Sequence, residues 1–144
     1  MLIPNIRLYP DDGENVMNIM ETPDEIRCFD DKGNCWYQSR LVKKNRDEVY
    51  LDVGGTVTGL AGYDYGEKVY RDKIISKVDE VNIKDEDRDF VLFISENIKR
   101  VASSFVQGML KELLDKLGYD RTLRKIVVVS KSIRVINSIY RNVY

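Results

Sequence analysis

The chain has 144 residues, 43% apolar and 33% charged, with a formal net charge of -1. That balance suits one ordinary domain, or a compact domain with a small satellite, and excludes a disordered chain. Histidine is absent and Cys28 and Cys35 are the only cysteines, which excludes Ser-His-Asp and Cys-His nucleophiles, four-thiolate metal sites and disulfide scaffolds.

The opening MLIPNIRLYPDD has no basic stretch followed by an apolar core, so no signal peptide is expected and the expected location is cytoplasmic, with reduced thiols. The first fifty residues predict short strands joined by turns. IRLY (6–9), VMNIM (16–20), EIRCF (25–29), NCWYQSRLVKK (34–44) and EVYLDV (48–53) are the strand candidates. They are separated by PDDGEN, DDKG and KKNRD, clusters of residues that favour tight reversals. Polar and apolar positions alternate at Cys35, Tyr37 and Ser39 and at Val49, Leu51 and Val53, as a half-buried sheet requires. The expected object is an antiparallel meander of four or five strands, or a small barrel, over residues 1–53. A hairpin through DDKG brings Cys28 and Cys35 nearly opposite one another as two packed thiols, and offers Trp36 and Tyr37 as an aromatic platform.

From residue 54 the texture becomes alternately helical and extended. GGTVTGLAGYDYG (54–66) contains five glycines and reads as a loop; it lacks the spacings of phosphate-binding glycine loops. Val69, Tyr70, Ile74 and Val78 predict a helix over 65–78, whose buried face they would form. VDEVNIKDEDRD (78–89) reads as a solvated connection, and DFVLFIS (89–95) and KIVVVS (125–130) as buried strands. Between those strands, Val106, Met109, Leu110, Leu113, Leu114 and Leu117 repeat with helical spacing, and Gly118 stands where a helix-stopping glycine belongs. Ile136, Ile139, Tyr140 and Val143 mark one face of a last helix. The fold class expected is α+β, with a mixed sheet carrying helices over residues 54–144 and strand 48–53 shared between the two regions.

Two features invite chemistry. Ser103 and Ser104 open the main helix, where one hydroxyl is expected to cap unpaired backbone N–H groups and where an added phosphate would be favoured. Charge is also uneven: residues 1–53 hold 7 basic and 11 acidic residues, residues 54–144 hold 16 and 13, and no acid follows Asp120. Arg121, Arg124, Lys131 and Arg134 are therefore candidate anion-binding residues, as a solvated basic edge or as a contact for an acidic partner or a nucleic-acid backbone. The acids Asp64, Glu67 and Asp72 near the glycine loop show no dyad or metal spacing.

The order DVGGTVTGLAGYDYGEKVYRDKI, DFVLFISENIKRVASSFVQGMLKELLDKLG, RKIVVVSKSIRVINSIY resembles STAS-like domain proteins, bacterial relatives of the anti-sigma-factor antagonists, over residues 48–144. Gly66, Glu67 and Arg71 are similar to that group's G-E-x-x-R helix start, with the arginine one position later. Ser103, Ser104 and Phe105 resemble its S-S-F helix start. The antagonists carry Asp-Ser-Ser-Gly at this place, whereas this chain has Ala102, Ser103, Ser104 and Phe105. The resemblance implies a non-enzymatic regulatory module without cofactors that docks another protein, with a histidine-kinase-like ATPase as a candidate. Ser103, Ser104 and Phe105 would form the docking or phosphorylation site, with Tyr63, Tyr65, Glu67 and Arg71 on the partner surface. The alternative is a nucleic-acid-associated accessory or inhibitor protein from a mobile element; membrane association is not expected, and the oligomeric state is left open.

Overall fold

A computed structural model describes residues 3–10, 22–53 and 55–142. The elements are β1 (Arg27–Phe29), β2 (Cys35–Gln38), β3 (Arg46–Leu51), β4 (Gly59–Leu60), α1 (Tyr63–Val69), α2 (Glu80–Lys84), β5 (Asp89–Ile94), β6 (Arg100–Val101), α3 (Ser103–Lys125), β7 (Ile126–Ser130) and α4 (Ile133–Arg141). A π-helical stretch, Tyr70–Ile74, continues α1 without a break.

Five strands form one mixed sheet in the order β1-β2-β7-β5-β3. The β3, β5 and β7 strands run parallel, while the β1–β2 hairpin joins the edge of β7 antiparallel. This is the expected α+β class, with helices packed on a mixed sheet. Its connectivity differs from a separate meander or barrel, because β1, β2 and β3 flank strands that come from much later in the chain. Alternation marks a half-buried strand but carries no information about its partner, and β3 finds β5 forty residues on, pairing Val49 with Leu92 and Leu51 with Ile94.

Apart from Asp89 and Ser130 at their ends, the two central strands are apolar because both faces of the sheet are covered. On one face Phe90, Leu92, Ile94, Ile126 and Val128 pack under the helices against Val106, Met109, Leu113 and Ile136. On the other, Val91, Phe93, Val127 and Val129 meet Trp36, Cys28, Val42 and Ile6. The IRLY segment reaches this second face through isolated bridges, Asn5 to Phe29 and Leu8 to Val42, rather than as the expected strand. Gln38, fully buried, clamps it: its Nε2 donates to the Arg7 carbonyl at 3.1 Å and its Oε1 accepts the Arg7 N–H. The expected strand at 16–20 and the position of Val143 lie outside the described residues.

Local chemistry explains the hairpin. Asp30 Oδ1 accepts the N–H groups of Lys32 and Asn34, both at 3.0 Å, and its Oδ2 accepts Trp36 Nε1 at 3.1 Å. Gly33 supplies the positive φ, 80°, that closes the loop. Two helical expectations need correction. The 78–89 stretch contains α2, whose single buried residue, Ile83, is too little to show a period. Gly118 does break α3, at φ 78 and ψ 175, but the chain resumes as helix to Lys125.

Candidate functional site

The predicted docking residues lie on α1, its π continuation and the start of α3, two helices that cross. These helices meet backbone to backbone, and two glycines make this possible. A Cβ on Gly66 would lie 2.2 Å from the Phe105 carbonyl oxygen, and one on Gly108 would lie 2.1 Å from that of Tyr63. Each helix therefore presents its glycine to the other's main chain, closer than side-chain packing allows. Beside the crossing, β6 pairs with β4 in parallel, and the Ala102 N–H donates to Leu60 O at 2.8 Å, fixing where α3 begins.

The adjacent serines have different environments. The N-cap of α3 is Ala102, with no side-chain cap; the expectation that Ser103 or Ser104 caps the helix is corrected. Ser104 Oγ instead accepts the N–H of Gly62, the residue before α1, at 3.2 Å, so its hydroxyl ties the two helix starts together. Ser103 is exposed. Phe105, expected in the docking site, is buried in the core and stacks obliquely on Tyr65 at 5.6 Å between ring centroids. It is therefore part of what holds the site and not part of its surface.

Tyr63 and Tyr65 are 36% and 38% exposed, Arg71 is exposed and Glu67 half-buried, all on α1 and its π continuation. Exposed around the helix crossing are therefore Ser103 at the start of α3 and, on different sides of α1, Tyr63 and Tyr65. Sequence reasoning did not single out Gly108 or Gly62. The signal for Gly108 was present, since a glycine inside a strong apolar helical stripe usually has a packing reason. Deeper in the same layer Tyr70 is buried, its hydroxyl without a hydrogen-bond partner among the described residues. Burial first, then the charges of Glu112 and Glu80, push that phenol up to about 12.

The remaining candidates are dispersed. Trp36 is fully buried and Tyr37 half-buried, so no aromatic platform forms. Cys28 faces Trp36 in the ladder while Cys35 faces Phe29; the two thiols are neighbours on opposite faces of the sheet and both are free. Burial, reinforced by Cys35 and opposed by Arg7, pushes the Cys28 thiol up to about 12. Among the described residues, no group of three or more acids or cysteines is placed to hold a metal ion, and no helix is long and apolar enough to cross a membrane.

The four candidate anion-binding residues split into two pairs at opposite ends of β7. Lys131 and Arg134 follow that strand; Lys131 pairs with Glu96 at 3.0 Å and lies 5.5 Å above the Trp36 ring. Arg121 and Arg124 precede it and line a cleft of about 280 Å³ with Lys43, Lys84 and Lys125. Arg121 pairs with Glu86 at 3.1 Å.

Compared with known proteins, the chain matches no family model, no curated protein and no solved structure.

Proposed function

We propose that this protein is a non-enzymatic regulatory module of STAS-like type that docks a protein partner through the start of α3 and the adjoining face of α1. The supporting observation is the contrast between neighbouring residues: Ser103 is exposed, while Ser104 and Phe105 are fixed by Gly62 and Tyr65. A rigid platform with exposed tyrosines suits recognition, since such rings contribute large contact area at small entropic cost. Ser103 is the residue through which phosphorylation would tune docking. A phosphate there adds up to about two negative charges at the positive end of a long helix, and the exposed hydroxyl is open to a kinase of the histidine-kinase-like ATPase type.

The test compares capture of partners from the native host by the wild type, Ser103→Asp and Tyr63→Ser/Tyr65→Ser. Loss of the same partner in both variants, with cooperative unfolding retained, is the expected result. An unchanged set of captured proteins in both variants would remove this face from the account.

A further inference from the structure

We propose that the cleft between the α2–β5 connection and the last turns of α3 binds a small anion bearing two or more negative charges, such as a phosphomonoester or a tricarboxylate. It lies near the start of β7, where α3 ends, whereas the docking face lies where α3 begins, so the two readings stand independently.

Five basic residues, Lys43, Lys84, Arg121, Arg124 and Lys125, line the cleft against three acids, Asp85, Glu86 and Asp87. Their roles differ. The Lys125 ammonium is buried and donates to the carbonyls of Asn82, Asp85 and Arg88 at 2.8, 2.7 and 3.0 Å. All three of its protons are engaged, so it supplies a fixed positive charge at the wall and no further hydrogen bond. Lys43 and Arg121 hold the opposite rim, donating to the carbonyls of Glu86 and Lys84 at 3.0 Å each. Arg124, one turn on from Arg121, is exposed, and among the described residues its guanidinium makes no hydrogen bond or ion pair. A guanidinium without a partner beside a second one matches the paired oxygens of phosphate or carboxylate groups.

Glu86 is the internal competitor. Its carboxylate meets Arg121 at 3.1 Å with 72% of the side chain exposed, and ion pairs that open to solvent contribute little. A single carboxylate on Arg121 is thus replaceable by a ligand that engages Arg121 and Arg124 together. The volume of about 280 Å³ lies at the lower end for small-molecule sites, which favours a compact polyanion over a long chain.

The experiment titrates the full chain with citrate and with pyrophosphate, using acetate as the single-charge control at matched ionic strength, read by calorimetry. Citrate or pyrophosphate binds and acetate does not; Arg124→Gln weakens binding about tenfold, as loss of a charge-assisted contact does. Glu86→Gln tightens it several-fold, an increase that a variant damaged in folding does not produce. Polyanions binding no better than acetate, or binding unaffected by Arg124→Gln, overturns the proposal. So does a single-stranded oligonucleotide that binds here in preference to citrate, with affinity rising with its length.

Discussion

Replacing Gly66 or Gly108 by alanine tests the helix crossing on which the docking face depends. On an exposed helix the change stabilises by about 1 kcal/mol, because alanine is the better helix former. Here the new Cβ would lie 2.2 Å from Phe105 O and 2.7 Å from Met109 N in the first case, and 2.1 Å from Tyr63 O in the second. The obstructing atoms are main chain and cannot rotate away, so the helices must separate by about an ångström to restore ordinary contact. That separation loosens α1 against α3, pulling Ser104 from Gly62 and Tyr65 from Phe105. Overpacking of this kind costs about 1–3 kcal/mol where side chains yield; a backbone obstacle places each variant at or above the upper end, near 3 kcal/mol net of the propensity gain. Urea unfolding of the two variants reads the difference directly. Gly55→Ala is the control, since its added Cβ meets nothing within 4 Å, and its stability stays within about 0.5 kcal/mol. A Gly66→Ala variant as stable as the wild type would refute the backbone contact.

The two serines separate by the same assay: Ser104→Ala loses the Gly62 hydrogen bond and about 1 kcal/mol, whereas Ser103→Ala changes stability by less than about 0.5 kcal/mol. Asp89 is buried, accepting both Arg40 guanidinium nitrogens at 2.9 and 2.8 Å and the Lys43 N–H at 2.7 Å; Asp89→Ala leaves Arg40 without its carboxylate and costs about 3–5 kcal/mol in urea unfolding. Burial works to raise the Asp30 carboxyl, but the donors from Trp36, Asn34 and Lys32 outweigh it and hold the group below its ordinary 3.8. Its stabilising contribution is therefore complete above the unfolded value and lost as pH falls through the lowered folded one, so Asp30→Asn flattens the acid side of the stability–pH curve below about pH 4. Tyr70→Phe removes a buried hydroxyl that has no partner among the described residues, and thermal unfolding should show no loss of stability, in contrast to the usual cost of deleting a buried polar group.

The strands buried on both faces were legible because their covering on each side leaves an unbroken apolar run, as in β5 and β7. The apolar spacing of α3 was equally plain, and the glycine expected to stop it does break it. What could not be read was non-local. Nothing in Val49 or Leu51 distinguishes a meander neighbour from β5, and nothing in IRLY reveals that Gln38, a buried amide thirty-one residues away, supplies its hydrogen bonds. The site followed the same rule. Two adjacent serines at a helix start look alike in sequence; their difference comes from Gly62, forty-two residues before Ser104, arriving through the close crossing of α1 and α3. Basic residues close in sequence were likewise divided by the length of β7, roughly 16 Å for its five residues, so one expected cluster became two ends of a sheet.

The docking claim is tested most directly by placing a photo-crosslinking residue at Ser103 or Tyr65, and separately at the exposed Arg124 at the far end of α3, in the native host. The expected result is the same partner joined to positions 103 and 65, absent from 124, and lost from position 65 when Ser103→Asp is introduced. Crosslinking of equal yield at all three positions, or a partner found at 124 alone, would contradict the claim.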